Sequence, residues 1–154
     1  MKTVIQRVTE ASVEIDGRFH GAIEKGYMIL VGICDNDTEE TVRKMAAKIS
    51  ALRIFEDENG KMNLNIHQVH GAVLSISQFT LYADCHKGNR PSFIGAGSPA
   101  HAQKLYLQFN EELRNLDLHV EEGIFGADMK VRLLNDGPVT IMLDSAVDIR
   151  MEGK

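Results

Sequence analysis

The chain has 154 residues, of which 44% are hydrophobic and 25% charged, a composition typical of one globular domain rather than of a disordered chain. Its formal net charge of −5 argues against a protein that coats nucleic acid, because such proteins usually present a basic face. Neither an apolar run of about 18 residues nor the apolar core of a signal peptide is present, so we expect no membrane span and a cytoplasmic location. Cys34 and Cys85 are too few for a Cys-rich zinc site, and we expect both thiols to be reduced.

The first third of the chain predicts β-strands. Apolar residues favour a strand over Thr3–Val8. A second strand at Val13–Ile15 meets Asp16-Gly17, a two-residue hairpin signal, and returns through Arg18–Ile23. Tyr27–Cys34 is a continuous apolar run of strand length, which predicts a strand covered on both faces.

A helix is predicted next, beginning with a capping box formed by Asp37 and Glu40. Its apolar stripe recurs at spacings of three and four residues, through Val42, Met45, Ile49 and Leu52. Asn59-Gly60 indicates a tight turn, and Ala72–Leu81 begins with the period-two alternation of a strand.

A second helix is predicted from Ser98 as N-cap and Pro99 as first helical residue. Its apolar stripe contains Ala102, Leu105, Phe109 and Leu113. Three strands follow, at Leu118–Glu122, Met129–Leu134 and Val139–Leu143. The order of elements predicts an α+β single domain of mainly antiparallel, barrel-like β-sheets with two principal helices.

The long irregular stretch Tyr82–Gly97 is a candidate functional loop, because long ordered loops in compact domains often carry function. We predict no metal site, since the scattered histidines (His67, His70, His86 and His101) have no cysteine pair or His-Glu signature to complete a ligand set. Gly95-Ala96-Gly97 lacks the context of a nucleotide-binding loop, and we predict no cofactor.

Ser77 and Thr80 lie where a predicted strand runs into this loop. A hydroxyl nucleophile needs an adjacent base, and no histidine is anchored to either residue by sequence. The hydroxyls could instead satisfy backbone groups, or belong to a cluster of donors that holds a substrate carbonyl and its developing oxyanion. The residue types leave these alternatives open.

Gly137-Pro138 joins two predicted strands and ordinarily indicates a turn. An X-Pro peptide bond can also be cis. A rigid Gly-Pro pair would present carbonyl oxygens in a fixed direction, with no side chain on the glycine, and could discriminate between small substrates by their shape.

Two segments resemble the signature motifs of the D-aminoacyl-tRNA deacylases: Ser77-Gln78-Phe79-Thr80-Leu81 and Asn135-Asp136-Gly137-Pro138-Val139-Thr140. Met1–Ser12, which contains Arg7, resembles the N-terminal strand of that family, and Lys87–Phe93 resembles its connecting loop. The resemblance covers residues 1–144, which we take as the deacylase-like domain. The tail of residues 145–154 matches nothing useful and has no assigned role.

The resemblance implies an enzyme that hydrolyses the ester between a D-amino acid and the terminal adenosine of tRNA, a proofreading activity. It also implies activity on glycyl-tRNA(Ala) and a homodimer in which Gly137 and Pro138, joined by a cis peptide, enter the pocket of the partner subunit. There the pair would reject L-amino acids, and Arg7 would hold it in orientation.

For catalysis, the resemblance leaves two roles for Thr80, a nucleophile or a positioning hydroxyl beside a 2′-hydroxyl-assisted water. Because no base is identifiable, we predict positioning, with Ser77, Gln78 and the backbone N–H of Phe79 as pocket and oxyanion donors. A different esterase or amidohydrolase, and a non-catalytic dimeric binding module, are the competing hypotheses.

The net charge of −5 excludes a protein that coats nucleic acid but not one that contacts only the end of a tRNA. Between Ser77 and Lys104 the charged residues Asp84, Lys87, Arg90 and Lys104 leave a local charge of +2, so the rest of the chain carries −7. A protein that grips only the 3′ end of tRNA needs few phosphate contacts, and its binding should depend only weakly on salt.

Overall fold

The fold is organised around one long strand that pairs with three others. In a computed structural model that describes residues 1–151, the strands are β1 (Lys2–Ile15), β2 (Arg18–Ile23), β3 (Gly26–Gly32), β4 (Phe55–Glu56), β5 (Met62–Leu64), β6 (Ala72–Ser77), β7 (Val120–Glu122) and β8 (Met129–Asp144). The helices are α1 (Glu39–Ala51), α2 (Pro99–Asn115) and the short α3 (Ser145–Asp148), with a 3-10 helix at Phe79–Tyr82.

The main sheet is mixed, with strand order β2-β1-β3-β6-β7 and with β8 paired to β1 along the whole length of β1. It curls into a nearly barrel-shaped surface. The prediction of mainly antiparallel sheets is partly wrong, because β3 pairs with β6, and β6 with β7, in parallel. Helix α1 lies on the connection between β3 and β6, and α2 on that between β6 and β7, as the long crossovers between parallel strands require.

The core lies on both faces of β3. Tyr27, Ile29 and Val31 belong to the cluster that α1 and α2 complete, while Met28 and Leu74 belong to a second cluster inside the curl of the sheet. The prediction that this strand is covered on both faces is confirmed. The predicted helical stripes are also buried, apart from Leu52, which follows the last residue of α1 and is half-buried.

Helix α1 is capped by a different residue from the one predicted. Thr38 is the N-cap and forms the capping box with Thr41, so the predicted pair Asp37 and Glu40 is wrong. Asp37 is buried, and its carboxylate accepts hydrogen bonds from the Met1 ammonium and from the backbone N–H of Cys34. The carboxylate of Asp37 is thus bonded elsewhere, and the next residue, Thr38, caps the helix.

Several predicted boundaries change. Thr3–Val8 and Val13–Ile15 are parts of one strand, β1, and the strand predicted over Ala72–Leu81 ends at Ser77. Met129–Leu134 and Val139–Leu143 also form one strand, β8, because β1 offers a continuous partner on both sides of Gly137-Pro138. The turn predicted at Asn59-Gly60 joins β4 and β5, two strands that the sequence analysis did not predict.

The C-terminal tail packs onto the domain as far as it is described. Ile149 contacts the main core, and the Nζ of Lys44 donates to the carbonyl of Arg150 at 2.9 Å. Residues 152–154 of the tail lie outside the described residues. In residues 1–151, no helix is long and apolar enough to cross a membrane.

Candidate functional site

The segment Ser77–Thr80 continues from the end of β6 into a 3-10 helix. Gln78 still pairs with the neighbouring strand, because its N–H donates to the Val31 carbonyl at 2.7 Å, and the 3-10 helix begins at Phe79. Gly32 permits this close approach: a Cβ there would lie 3.1 Å from the carbonyl oxygen of Gln78. The motif is therefore held at a fixed depth beside β3.

A cavity of about 610 Å³ opens beside this segment. Ser77, Gln78 and Phe79 line one part of it, and the half-exposed ring of Phe79 packs edge-on against Phe93 with 5.0 Å between centroids. The remaining lining is mainly apolar: Ile76, Phe93, Ala96, Gly97, Pro99, Ala102, Phe125, Gly126, Ala127, Asp128, Met129 and Val131. The predicted functional loop thus contributes Phe93, Ala96 and Gly97.

Hydrogen-bond donors are concentrated at the edge of this cavity. The Nε2 of Gln78 donates to the Oγ1 of Thr80 at 2.5 Å. Within residues 1–151, the backbone N–H groups of Phe79 and Thr80 donate to no protein acceptor, as expected for the first turn of a helix. The segment can therefore offer unpaired amide donors to a developing oxyanion.

In the described part of the chain, no base forms a hydrogen bond with the Thr80 side chain. Its hydroxyl is exposed, and its one side-chain partner is the amide of Gln78, which cannot accept a proton at neutral pH. This arrangement suits a hydroxyl that orients a reactant better than one that attacks it.

The loop that leads into α2 is fixed by an exposed carboxylate. The backbone N–H and the Oγ of Ser98 both donate to Oδ1 of Asp35, at 2.8 and 3.0 Å. These bonds hold the pKa of Asp35 below its usual range. Ser98 is the N-cap of α2 as predicted, although its side chain does not bond to the helix.

The second motif forms an outward bulge in β8. Gln6 is opposite Thr140 and Val8 is opposite Asn135, so residues 136–139 face Arg7 alone on β1. The Gly137–Pro138 peptide is cis, and both residues are exposed. Gly137 has φ +127°, and a Cβ there would lie 2.7 Å from Cγ2 of Val139, so the position favours glycine.

Arg7 is almost completely buried, with 4% of its surface exposed, and its guanidinium binds the bulge. Its Nη1 donates to the Ile54 carbonyl at 2.7 Å, and its Nε donates to the Asp136 carbonyl at 3.1 Å. The carboxylate of Asp136 lies 3.5 Å from the same Nε. One guanidinium therefore connects β1, the segment before β4 and the bulge.

The structure does not bring the two motifs together within one chain. Ser77, Gln78 and Phe79 line the cavity and Thr80 adjoins them, whereas Arg7, Gly137 and Pro138 are not among its lining residues. The sequence analysis missed Phe125, Met129 and Val131 as lining residues. No local pattern marks them: Met129 and Val131 reach the cavity through the pairing of β8 with β1, and Phe125 lies in the segment between β7 and β8.

Comparisons with known proteins agree with the resemblance found in the sequence. A family profile described as D-Tyr-tRNA(Tyr) deacylase matches residues 4–144. A D-aminoacyl-tRNA deacylase of Halalkalibacterium halodurans is 55% identical over 145 residues, 94% of this chain and 99% of that protein. One from Thermus aquaticus is 54% identical over 146 residues, 95% of this chain and 96% of that protein.

Solved structures share the fold. One described as c-Myc DNA Unwinding Element Binding Protein is 42% identical with a TM-score of 0.87, covering 94% of this chain and 98% of that one. A "probable eukaryotic D-amino acid tRNA deacylase" is 17% identical with a TM-score of 0.80, covering 92% and 97%. The family profile and the relatives above half identity span nearly the whole chain, and the chain therefore belongs to the D-Tyr-tRNA(Tyr) deacylase family.

Proposed function

We propose that this protein hydrolyses the ester bond of D-aminoacyl-tRNA, releasing the free D-amino acid and tRNA. The observation that carries the proposal is the cavity at Ser77–Phe79, where unpaired backbone N–H groups adjoin an apolar space large enough for an aminoacyl group. Relatives that match nearly the whole chain carry the name D-aminoacyl-tRNA deacylase.

In the proposed reaction, water forms a bond to the ester carbonyl carbon, and the bond from that carbon to the ribose oxygen breaks. The attacking water loses one proton, and the ribose oxygen takes up one proton as it leaves, so that the reaction balances. The N–H of Phe79 donates to the oxyanion of the tetrahedral intermediate, while Ser77 and Gln78 bind the substrate at the cavity wall. The Thr80 hydroxyl, held by Gln78, positions the ester, and the ribose 2′-hydroxyl assists the water.

Gly137 and Pro138 are the proposed selectors of chirality. The carbonyl oxygens of these two exposed residues would crowd the space that an L side chain needs, whereas a D side chain points elsewhere. Glycine has no side chain, so the same geometry would admit glycyl-tRNA(Ala). Arg7, which holds the carbonyl of Asp136 beside the pair, would keep the selector in place.

The selector would act on the cavity of a second copy of the chain in a homodimer. Gly137 and Pro138 are exposed and lie outside their own cavity. The same strand presents large apolar side chains to solvent, with Leu134 57% and Met142 75% exposed. A second copy of the chain packed against this strand would remove both side chains from water. The tRNA would contribute only its 3′-terminal adenosine and the attached amino acid.

The proposal is tested by incubating the purified protein with D-tyrosyl-tRNA, L-tyrosyl-tRNA and glycyl-tRNA(Ala) and measuring the ester that remains. We expect the D-tyrosyl and glycyl esters to be hydrolysed and the L-tyrosyl ester to persist. Equal hydrolysis of the two tyrosyl isomers would contradict the chirality assignment. Activity on free aminoacyl esters without adenosine would favour a different esterase. The cytoplasmic location stays a prediction.

A further inference from the structure

The side chain of Asn135 forms hydrogen bonds at the base of the bulge in β8. Asn135 is the last residue of β8 that pairs with β1 before the bulge. Its Nδ2 donates to the carbonyl of Arg7 at 3.3 Å and to the carbonyl of Val139 at 3.0 Å. One amide group therefore connects β1 to the residue that immediately follows Pro138.

Asn135 and Arg7 hold different ends of the same bulge. The guanidinium of Arg7 binds the carbonyl of Asp136, where the chain leaves the sheet. The amide of Asn135 binds the carbonyl of Val139, where the chain returns. A bulge interrupts the hydrogen-bonded ladder, so these carbonyls need donors other than the partner strand. Gly137 and Pro138 lie between the two fixed points.

We propose that Asn135 is a positioning residue that determines chiral specificity by setting the direction in which the Gly137 and Pro138 carbonyls point. This inference rests on the proposed function. Asn135 does not line the cavity of its own chain, and it acts through the bulge rather than on the substrate. Its donor capacity is essential to the role, because both of its partners are acceptors.

Asn135→Asp is the sharpest substitution, since it keeps the shape of the side chain and turns the two donated hydrogen bonds into contacts between a carboxylate and carbonyl oxygens. Asn135→Ala removes the side chain without that repulsion and is the second variant if the first does not fold. Asn65→Asp is the matched control, because Asn65 accepts a hydrogen bond from the Gln68 backbone and lies in a loop on another part of the chain.

The first readout is the ratio of hydrolysis rates for D- and L-tyrosyl-tRNA. Loss of two ordinary hydrogen bonds at the selector should lower this ratio by about tenfold in Asn135→Ala and by more in Asn135→Asp. Asn65→Asp should keep the native ratio. A merely structural role would reduce both rates together as the folded fraction falls, and an unchanged ratio in both Asn135 variants would overturn the proposal.

The second readout does not depend on activity. Hydrogen exchange of the peptide over residues 133–141 should be faster in the Asn135 variants than in the native protein, with other peptides of the sheet unchanged. If the native protein itself shows no preference between D and L esters, the proposed function fails. Hydrogen exchange then tests separately whether Asn135 holds the bulge in place, and unchanged exchange at residues 133–141 would refute that role.

Discussion

Arg7 offers the clearest test of how the bulge in β8 is supported. Arg7→Met keeps much of the side-chain volume but removes the guanidinium, which leaves the carbonyls of Ile54 and Asp136 without their donor. The bond to Ile54 is buried, and the bond to Asp136 is partly buried. A hydrogen bond from a charged donor contributes about 1.5–3 kcal/mol, so loss of the two bonds should lower the unfolding free energy by about 3–6 kcal/mol.

Urea unfolding of the native protein and Arg7→Met measures this loss as a lower transition midpoint. Arg43→Met is the matched control, because Arg43 is exposed on α1 and makes no ion pair within residues 1–151. Arg7→Lys should be intermediate, since one ammonium cannot reproduce the separated donors of a guanidinium. A native-like free energy in Arg7→Met, within about 0.5 kcal/mol, would refute the reasoning.

Three further predictions follow from the site. Gly137→Ala should lower the ratio of D- to L-tyrosyl-tRNA hydrolysis, because its Cβ would lie 2.7 Å from a Val139 methyl group at φ +127°. Gly60→Ala, also at positive φ but with open space around it, should leave the ratio unchanged, and equal effects of the two substitutions would contradict a local cause. Thr80→Ala should slow single-turnover deacylation by about 10–100-fold while Thr80→Ser stays near native, whereas an aminoacyl-enzyme trapped on the native Thr80 would contradict the positioning role. Because the pKa of Asp35 is lowered by the hydrogen bonds from Ser98, its stabilising effect is present above the ordinary carboxyl pKa of about 3.9 and is lost as pH falls through the lowered value. The difference in melting temperature between the native protein and Asp35→Ala should therefore shrink below about pH 4, and a constant difference would count against the assignment.

The helices and the buried strand were predictable because each is encoded locally. The stripes through Met45 and Phe109 repeat at the helical period, and the apolar run at Tyr27 is long enough for a doubly covered strand. The choice of Asp37 as N-cap failed because Asp37 and Thr38 are adjacent and both can cap. Only the tertiary fold brings the Met1 ammonium to Asp37 and leaves the capping position to Thr38.

Pairing between distant strands was not predictable. Gly137-Pro138 has the local pattern of a turn, yet β8 continues through it because β1 supplies partners on both sides. Parallel pairing of β3 with β6 likewise depends on tertiary packing, because α1, which lies between these strands in the sequence, must pack against the sheet. Local patterns carry no information about which edges meet, and this is why the sheet was predicted to be mainly antiparallel.

The candidate site was predictable in part. Residue types drew attention to Ser77, Thr80 and the Gly137-Pro138 pair, and the resemblance added Arg7. The structure adds that the predicted donor, the N–H of Phe79, has no protein acceptor within residues 1–151, and it gives the distance from Gln78 to Thr80 and the apolar wall that includes Phe125. These features arise from the 3-10 turn and from packing between elements, which sequence patterns do not specify.

The central claim is that the protein distinguishes the two mirror forms of one ester. The most direct measurement places D- and L-tyrosyl-tRNA together in one tube with the native protein and follows the chirality of the tyrosine that stays esterified. The account predicts that the D form disappears and the remaining ester becomes pure L. Loss of both forms at the same rate, or of the L form first, would contradict it.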